Sequence, residues 1–540
     1  MDLRWLTEPP LPWDAWIAWR LDESPQRLMR HALRRIAAVL VLIVVFAMAA
    51  CASLPSPTPR PWSTALVSGQ APLARIVAAS TPRSKQGLSG ARLIGDGDQA
   101  LATRIALLRR AAVSLDIQSY YIACDGSGLA LLRELRAAAA RGVRVRLLVD
   151  DLYTTGQDDL LAALAAHAGI EVRLFNPLPV RSGSWITRIA LSLHAFSRIN
   201  HRMHNKLLIA DGAIAVTGGR NLGDEYFMRS TQANFIDMDV LAIGAVVPQL
   251  AELFDRFWNS EQTFPVQSLA GVGLAEHFEG LSLAAARDML SPAQDRSGRA
   301  SIASQLAAGR LRLTFANIVL LADDPAKAAG RPGRTAHEDA AAAMAMAQRH
   351  LLIVSPYFLP GDAGMAMLGR AAARGVKIHV TTNSLGATDM PLVHHSYARY
   401  RVPLLKMGAR LQELGARLSR EAGGLGNFGA SQGRLHAKLA VIDGTRLFIG
   451  SMNMDGRSAR YNTELGLLIE SPELAGEVIA LFQAEAQASS YQLRVVDDQH
   501  LEWLAREGGR DVTYRHEPEQ DFSPIWVRWL MNWLVNEDLL

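Results

Sequence analysis

The chain repeats itself, and that constrains its fold more than any other feature of the sequence. One stretch reads IQSYYI and then LLRELRAAAARGVRVRLLVDDL, from Ile117 to Leu152. A second reads IVSPYFL and then MLGRAAARGVKIHVTTNSL, from Ile353 to Leu385. Each is a short apolar β-like run, an Ala/Leu-rich helical stretch, an Arg-Gly-Val break and another β-branched run. That order is a βαβ unit, in which the helix covers a sheet whose buried strands read as short apolar runs. Gly142 and Gly375 stand where each helix must stop. The register continues downstream. HNKLLIADGAIAVTGGRN begins at His204, 62 residues after Gly142, and HAKLAVIDGTRLFIGSMN begins at His436, 61 after Gly375. Spacing this close means two copies of one α/β unit.

The same polar set recurs in both copies. His204, Lys206 and Asp211 match His436, Lys438 and Asp443, and Asn221 and Asn453 each lie 17 residues beyond their histidine. Gly219 and Ser451 occupy matching places before the asparagines, and Asp239 and Glu464 are acids on comparable β-like segments, DMDVLAIG and NTELGLLI. In a strand, residues two apart share a face, so each histidine is expected to project beside its lysine. The Asp-Gly that follows reads as the turn of a hairpin. If the copies pack about a pseudo-twofold axis, one pocket holds two imidazoles, two ammonium groups and two carboxamides. That set suits a phosphodiester: lysines and amides meet its charged oxygens while the histidines flank phosphorus in line.

Each piece has a blander explanation. A lone His-x-Lys on a strand is usually a solvated face, and Asp211 and Asp443 need only start their turns. A zinc site built from His201, His204 and Asp211 would have to ignore the duplicated lysines, which repel a dication. Recurrence at the same offsets outweighs these readings.

The two intact motifs, His-x-Lys-x4-Asp followed by Gly-[Gly/Ser]-x-Asn, resemble the phospholipase D superfamily, and the likeness runs from about Ser89 to the C-terminus. Segments such as RVRLLVDDL, GGRNLGDEYF and GVKIHVTTNSLGATD are similar to bacterial cardiolipin synthases, within them the cardiolipin synthase C-like branch. The resemblance implies two α/β sandwich domains, each a mixed sheet flanked by helices, sharing one active site across a pseudo-twofold. It implies a phosphatidyltransferase that works through a covalent phosphohistidine and moves a phosphatidyl group onto phosphatidylglycerol. His204 would be nucleophile and His436 acid and then base, the latter carrying its proton near neutral pH. Lys206, Lys438, Asn221 and Asn453 would hold phosphate oxygens, Asp239 and Glu464 would orient the imidazoles, and Asp211 and Asp443 would stabilise the fold. No metal or organic cofactor is implied. The partners implied are phospholipids (phosphatidylglycerol, with phosphatidylethanolamine as a second donor), a membrane and room for an accessory protein. Hydrolysis by water and a nuclease activity are the alternatives. With 56 basic and 52 acidic residues and a net charge of +4, a nucleic acid is not the expected partner.

The N-terminal region points to the cell envelope. Arg30, Arg34 and Arg35 precede an unbroken apolar run from Ile36 to Ala50, and Met48-Ala49-Ala50-Cys51 looks like a bacterial lipobox. Cys51 would then be lipidated, leaving the catalytic body on the periplasmic side; a plain membrane anchor is the alternative. Residues 1–28 are unlike any signal n-region, and Met29 would open a signal of ordinary length. The expected layout is an extra extension at 1–28, signal or anchor at 29–51, tether at 52–88 and a first domain at 89–265. A connecting segment at 266–335, a second domain at 336–500 and an amphipathic tail at 501–540 follow. In that tail Trp526, Trp529 and Trp533 suit a membrane interface.

Overall fold

A computed structural model describes residues 61–270, 298–422, 428–497 and 500–519, apart from 182, 332 and 486–487, together with Leu54 and 293–295. Cys51, the apolar run before it and the tryptophans of the expected tail lie outside these residues. The chain divides into two units. The described part of the smaller, 179–196, contains a short helix, Trp185–Leu191, capped by the Ser184 hydroxyl on the Thr187 amide. Everything below concerns the larger unit, Pro55–Leu178 with Ser197–Leu540, which holds both copies of the repeat.

The first copy supplies β1 (Ser89–Ile94), β2 (Ser114–Ser119), β3 (Arg144–Asp150), β4 (Ile170–Phe175), β5 (Leu207–Ala210) and β6 (Ile214–Gly218). It also supplies β7 (Ala233–Ile236), β8 (Asp239–Gly244) and β9 (Thr263–Pro265). The second supplies β10 (Thr314–Ala322), β11 (His350–Val354), β12 (Lys377–Asn383), β13 (Arg410–Leu414), β14 (Gln432–Leu435), β15 (Leu439–Ile442), β16 (Arg446–Gly450) and β17 (Leu465–Glu470). β18 (Ser490–Val495), β19 (Leu501–Glu507) and β20 (Arg510–Tyr514) complete it.

Pairing shows the duplication directly. In the first copy β4, β3 and β2 are parallel and continue antiparallel through β5, β6 and β8 to β1. In the second, β13, β12 and β11 are parallel and continue antiparallel through β15, β16 and β17 to β10. β1 and β10 then pair antiparallel, Ser89 opposite Ala316, and fuse the halves into one mixed sheet, of 18 strands among the described residues. β10 falls in the stretch expected only to connect the halves, and β19 and β20 lie where a tail was expected; both continue the sheet. Helices Gly126–Ala140 and Gly361–Ala373 cross over between the parallel strands, and Gly142 and Gly375 follow them at φ of 90° and 84°. A side chain is strained in that left-handed region, so glycine ends both helices.

One apolar cluster belongs to each half, and a third is common to both. The shared cluster joins Leu207, Ala215, Val240, Leu250 and Phe254 of the first half to Val354, Leu439, Val441, Leu465 and Leu467 of the second. Each such leucine, valine or phenylalanine contributes roughly 1.5–3 kcal/mol when fully buried, so separating the halves would expose far more apolar area than surface contacts could offset.

The hairpins β5–β6 and β15–β16 carry the repeated Asp-Gly. Asp211 and Gly212 have φ of 54° and 61°, and Asp443 and Gly444 have 54° and 69°, the pair of left-handed residues that favours Asp-Gly in a tight hairpin turn. Both carboxylates then reach back to the strand that precedes them in the sheet. Asp211 accepts from the amides of Ala112, Val113 and Ser114, and Asp443 from those of Gln348, Arg349 and His350. Those three amides outweigh the opposing effect of burial and hold the Asp443 carboxyl below its usual value. A depressed carboxyl pKa contributes stability above the unfolded-state value, lost as pH falls through the folded one. Asp211→Ala should lower unfolding stability by about 3 kcal/mol, from the lost acceptor and the left-handed backbone. Asp443 is more exposed, so Asp443→Ala should cost less. Urea unfolding checks both, and an unchanged midpoint for Asp211→Ala would contradict this role.

Candidate active site

Each histidine is placed by backbone pairing with the opposite half. His204–Lys206 and His436–Lys438 stand just before β5 and β15 rather than within them. The reason is that their amides turn to the other copy. The His204 amide donates to the Thr463 carbonyl (2.9 Å), and the Thr463 amide donates to the Arg202 carbonyl (2.9 Å). On the other side β14 pairs in parallel with β7, and the His436 amide donates to the Ile236 carbonyl (2.8 Å). A buried polar side chain braces the residue before each histidine. Asp150 accepts from the Met203 amide (2.8 Å), and Asn383 bonds both the amide and the carbonyl of Leu435 (2.8 and 2.9 Å).

These exchanges bring each imidazole against an acid of the other copy. His204 Nδ1 lies 3.0 Å from Glu464 Oε2, and His436 Nδ1 lies 2.6 Å from Asp237 Oδ2. The carboxylate oxygens accept, so each Nδ1 carries the proton and each Nε2 keeps its lone pair. Glu464 thus lies against His204. Asp239, expected to orient a histidine, instead pairs with Arg104 (2.9 Å) and Arg220 (3.4 Å). Strand register explains the correction. Gly218 of β6 faces Asp239, whereas Gly450 of β16 faces Gly466, so the counterpart of Glu464 is two residues earlier, at Asp237. The sequence signal was available in aligning the apolar runs after each acid. It was obscured because Asn221 and Asp237 are 16 residues apart, but Asn453 and Glu464 only 11.

The glycine/serine position of the motif now has a reason in each half. A side chain at Gly219 would collide with the Asp237 carboxylate. Ser451, its counterpart, donates from Oγ to Glu464 Oε2 (2.5 Å), and Ser458 Oγ donates to Oε1 (2.9 Å). Lys206 Nζ donates to the His204 carbonyl (2.8 Å), and Lys438 Nζ lies 2.9 Å from His436 Nδ1 and donates to the His436 carbonyl. Asn221 Nδ2 donates to the Tyr226 hydroxyl (2.8 Å), while the carboxamide oxygens of Asn221 and Asn453 are buried without partners. The same atom positions fit amides turned by half a rotation, which would present N–H groups instead. Aromatic rings flank both imidazoles: Tyr120 lies 4.9 Å from His204, and Tyr226 and Phe235 lie 5.2 and 4.9 Å from His436. None of the three was singled out in the sequence, where an aromatic residue on a β-like run looks like core.

Burial dominates the electrostatics. It lowers His204 to about 4 despite the opposing pull of Glu464. It also drives His436 well below its usual value, with the charges of Lys438 and Lys206 adding to the effect. Both imidazoles are therefore neutral at pH 7, and the expectation that His436 rests protonated is not met. Burial would raise Glu464, but His204, Lys206 and Ser451 reverse this and hold it at about 2, fully ionised. Burial likewise lowers Lys438 to about 8 and Lys206 well below the usual lysine range. The site is a buried, donor-rich cluster in which Glu464 and Asp237 favour the charged lysines without outweighing burial.

Two measurements check this arrangement. Imidazole NMR should show His204 neutral from pH 5 to 8, with protonation near pH 4, because burial outweighs its acid. Asp237→Asn should move the His436 resonances strongly and Asp239→Asn only slightly; the reverse ranking would contradict the assignment.

The comparisons with known proteins agree with this geometry. Residues 105–258 and 341–485 match the family described as cardiolipin synthase, phospholipase D-like domain. Cardiolipin synthase C of Escherichia coli is 39% identical over 451 residues, covering 80% of this chain and 94% of that protein. Cardiolipin synthase A of Pseudomonas fluorescens is 27% identical over 397 residues, covering 73% of this chain and 68% of its own length. Among solved structures, phosphatidylserine synthase of Haemophilus influenzae matches with a TM-score of 0.53 at 14% identity, over 84% of this chain and 93% of that one, a likeness of fold. The chain thus belongs to the cardiolipin synthase family of phospholipase D-like proteins.

Proposed function

We propose that this protein is a phosphatidyltransferase that forms cardiolipin by transferring a phosphatidyl group to phosphatidylglycerol. The observation that carries the reading is the pair of acid-backed histidines, each within electrostatic reach of the other's buried lysine. The His204 Nε2 lone pair attacks phosphorus, an N–P bond forms, and the headgroup oxygen leaves with a proton from His436. A phosphatidylglycerol hydroxyl then gives its proton to His436 Nε2, its oxygen bonds phosphorus, and the N–P bond breaks to release cardiolipin and free His204. Of the two histidines, His204 is the better nucleophile by its surroundings. Its partner Glu464 is held ionised by three hydrogen-bond donors and can balance the charge that the imidazole gains. Lys206, Lys438, Asn221 and Asn453 offset the charge on the phosphate oxygens. The resting neutrality of His436 gives binding a further consequence. The incoming phosphodiester anion favours the imidazolium, so substrate arrives with a proton, and the acid is charged only when there is a group to protonate.

Attachment to the membrane through a lipid on Cys51 completes the proposal. No helix among the described residues is long and apolar enough to cross a membrane.

Three experiments follow. Purified protein in vesicles with labelled phosphatidylglycerol, with and without phosphatidylethanolamine, should yield cardiolipin, and His204→Ala should abolish it. Phosphatidic acid alone would make the protein a hydrolase. Calorimetric binding of short-chain phosphatidylglycerol to His204→Ala, in buffers of different ionisation heat, should show uptake of up to about one proton near pH 7; no uptake would contradict the role given to His436. Cys51→Ser should release the protein from the membrane fraction, and unchanged sedimentation with membranes would argue for a plain anchor.

A further inference from the structure

The pocket is symmetric in its catalytic groups and asymmetric in its walls. Ser119 Oγ donates to the Tyr121 carbonyl (2.8 Å), and Ser355 Oγ donates to the Tyr357 carbonyl (2.6 Å), so Tyr121 and Tyr357 are counterparts. In the first half an aromatic cluster gathers at Tyr121, with Asp125 and Glu225 also beside it. Tyr153, on the loop after β3, packs edge-on against Tyr120 (5.4 Å) and Tyr121 (5.7 Å), and Tyr120 in turn meets His204. Around Tyr357 the second half is acidic. The loop after β12 brings Asp389 to the Tyr357 hydroxyl, which donates to Oδ2 at 2.8 Å. The other carboxylate oxygen, Oδ1, is buried and has no hydrogen-bond partner. Asp389 lies close enough to His436 and Lys438 for its charge to favour the protonated form of both.

We infer that Asp389, held by Tyr357, recognises the headgroup alcohol that leaves and enters at His436, by accepting from a hydrogen-bond donor on the carbon adjacent to the one that bears the reacting oxygen. This rests on the roles proposed above for the two histidines. In-line displacement puts the phosphatidyl group on His204, beside the aromatic wall, and the exchanging alcohol on the opposite side, beside the acidic one. A buried carboxylate oxygen without a donor is costly, and the substrate is the group that can supply one. Two headgroups share the required chemistry: glycerol through its neighbouring hydroxyl, and ethanolamine through its ammonium. A simple alcohol such as 1-propanol lacks it. Asp389 is thus a specificity-determining residue, selecting among alcohols that all reach the same phosphoenzyme.

Partitioning between soluble acceptors tests this, because the product ratio reads the second step alone. The full-length protein in vesicles of phosphatidylglycerol is given deuterated glycerol and 1-propanol, or ethanolamine and 1-propanol, at equal concentrations, so that phosphatidylglycerol made from the added glycerol carries the isotope. Wild type should favour the donor-bearing alcohol, and Asp389→Ala should lose that preference by about tenfold. Asp389→Asn keeps an acceptor without the charge, so it should retain most of the glycerol preference and lose that for ethanolamine. Tyr357→Phe, which frees Asp389 without removing it, should weaken both ratios in a protein of unchanged melting temperature. Unchanged ratios in Asp389→Ala that still makes product would overturn the inference and leave the transferase intact. Wild type that makes no product with any alcohol would instead remove the reading on which the inference rests.

Discussion

The structure depends on a reciprocal exchange between its halves. Each imidazole is hydrogen-bonded to an acid of the other copy, at 260 residues' separation for His204 and Glu464 and 199 for His436 and Asp237. Neither half therefore contains a finished dyad. The backbone pairs Met203–Thr463 and Leu435–Ile236 set the distances, and the β1–β10 junction with the shared apolar cluster holds those pairs in register. Fusing the sheet is thus a precondition of the chemistry as well as of the fold.

That exchange also explains how so many charged groups are tolerated in a dry place. An isolated buried charge costs several kcal/mol, whereas one met by hydrogen bonds and an opposite charge is sustainable. Glu464 has His204, Ser451 and Ser458, and Asp237 has His436 and the Met238 amide, with the Arg220 guanidinium on its own carbonyl. The lysines are compensated least, and burial lowers both of them. In the proposed reaction a phosphodiester adds the negative charge that offsets this. Resting destabilisation of the cations becomes binding energy directed at the phosphate, where charge moves during the reaction.

Much of this was legible in the sequence, for physical reasons. The βαβ order, the glycine stops and the Asp-Gly hairpins are local, and each appears twice, so Gly142, Asp211 and their counterparts could be read with their roles. The motif histidines, lysines and asparagines were legible because recurrence separates chemistry from coincidence. What depended on contact between the copies was not. Asp239 stood in for Asp237 because loops of unequal length hid the strand register. The His-x-Lys segments were expected within strands because the sequence does not reveal that their amides bond the opposite half. β19 and β20 were assigned to a tail because they extend the sheet past β18, and no sequence pattern marks where a sheet's edge falls.

The central claim is that His204, backed by Glu464 across the halves, carries the phosphatidyl group. Rapid quenching of the working enzyme into alkaline denaturant, followed by peptide mass spectrometry, tests it directly. The account predicts a phosphatidyl adduct on the peptide containing His204, enriched in Asp237→Asn, whose second step is slowed, and lost in Glu464→Gln. An adduct on His436, or turnover with no adduct on either histidine, would contradict it.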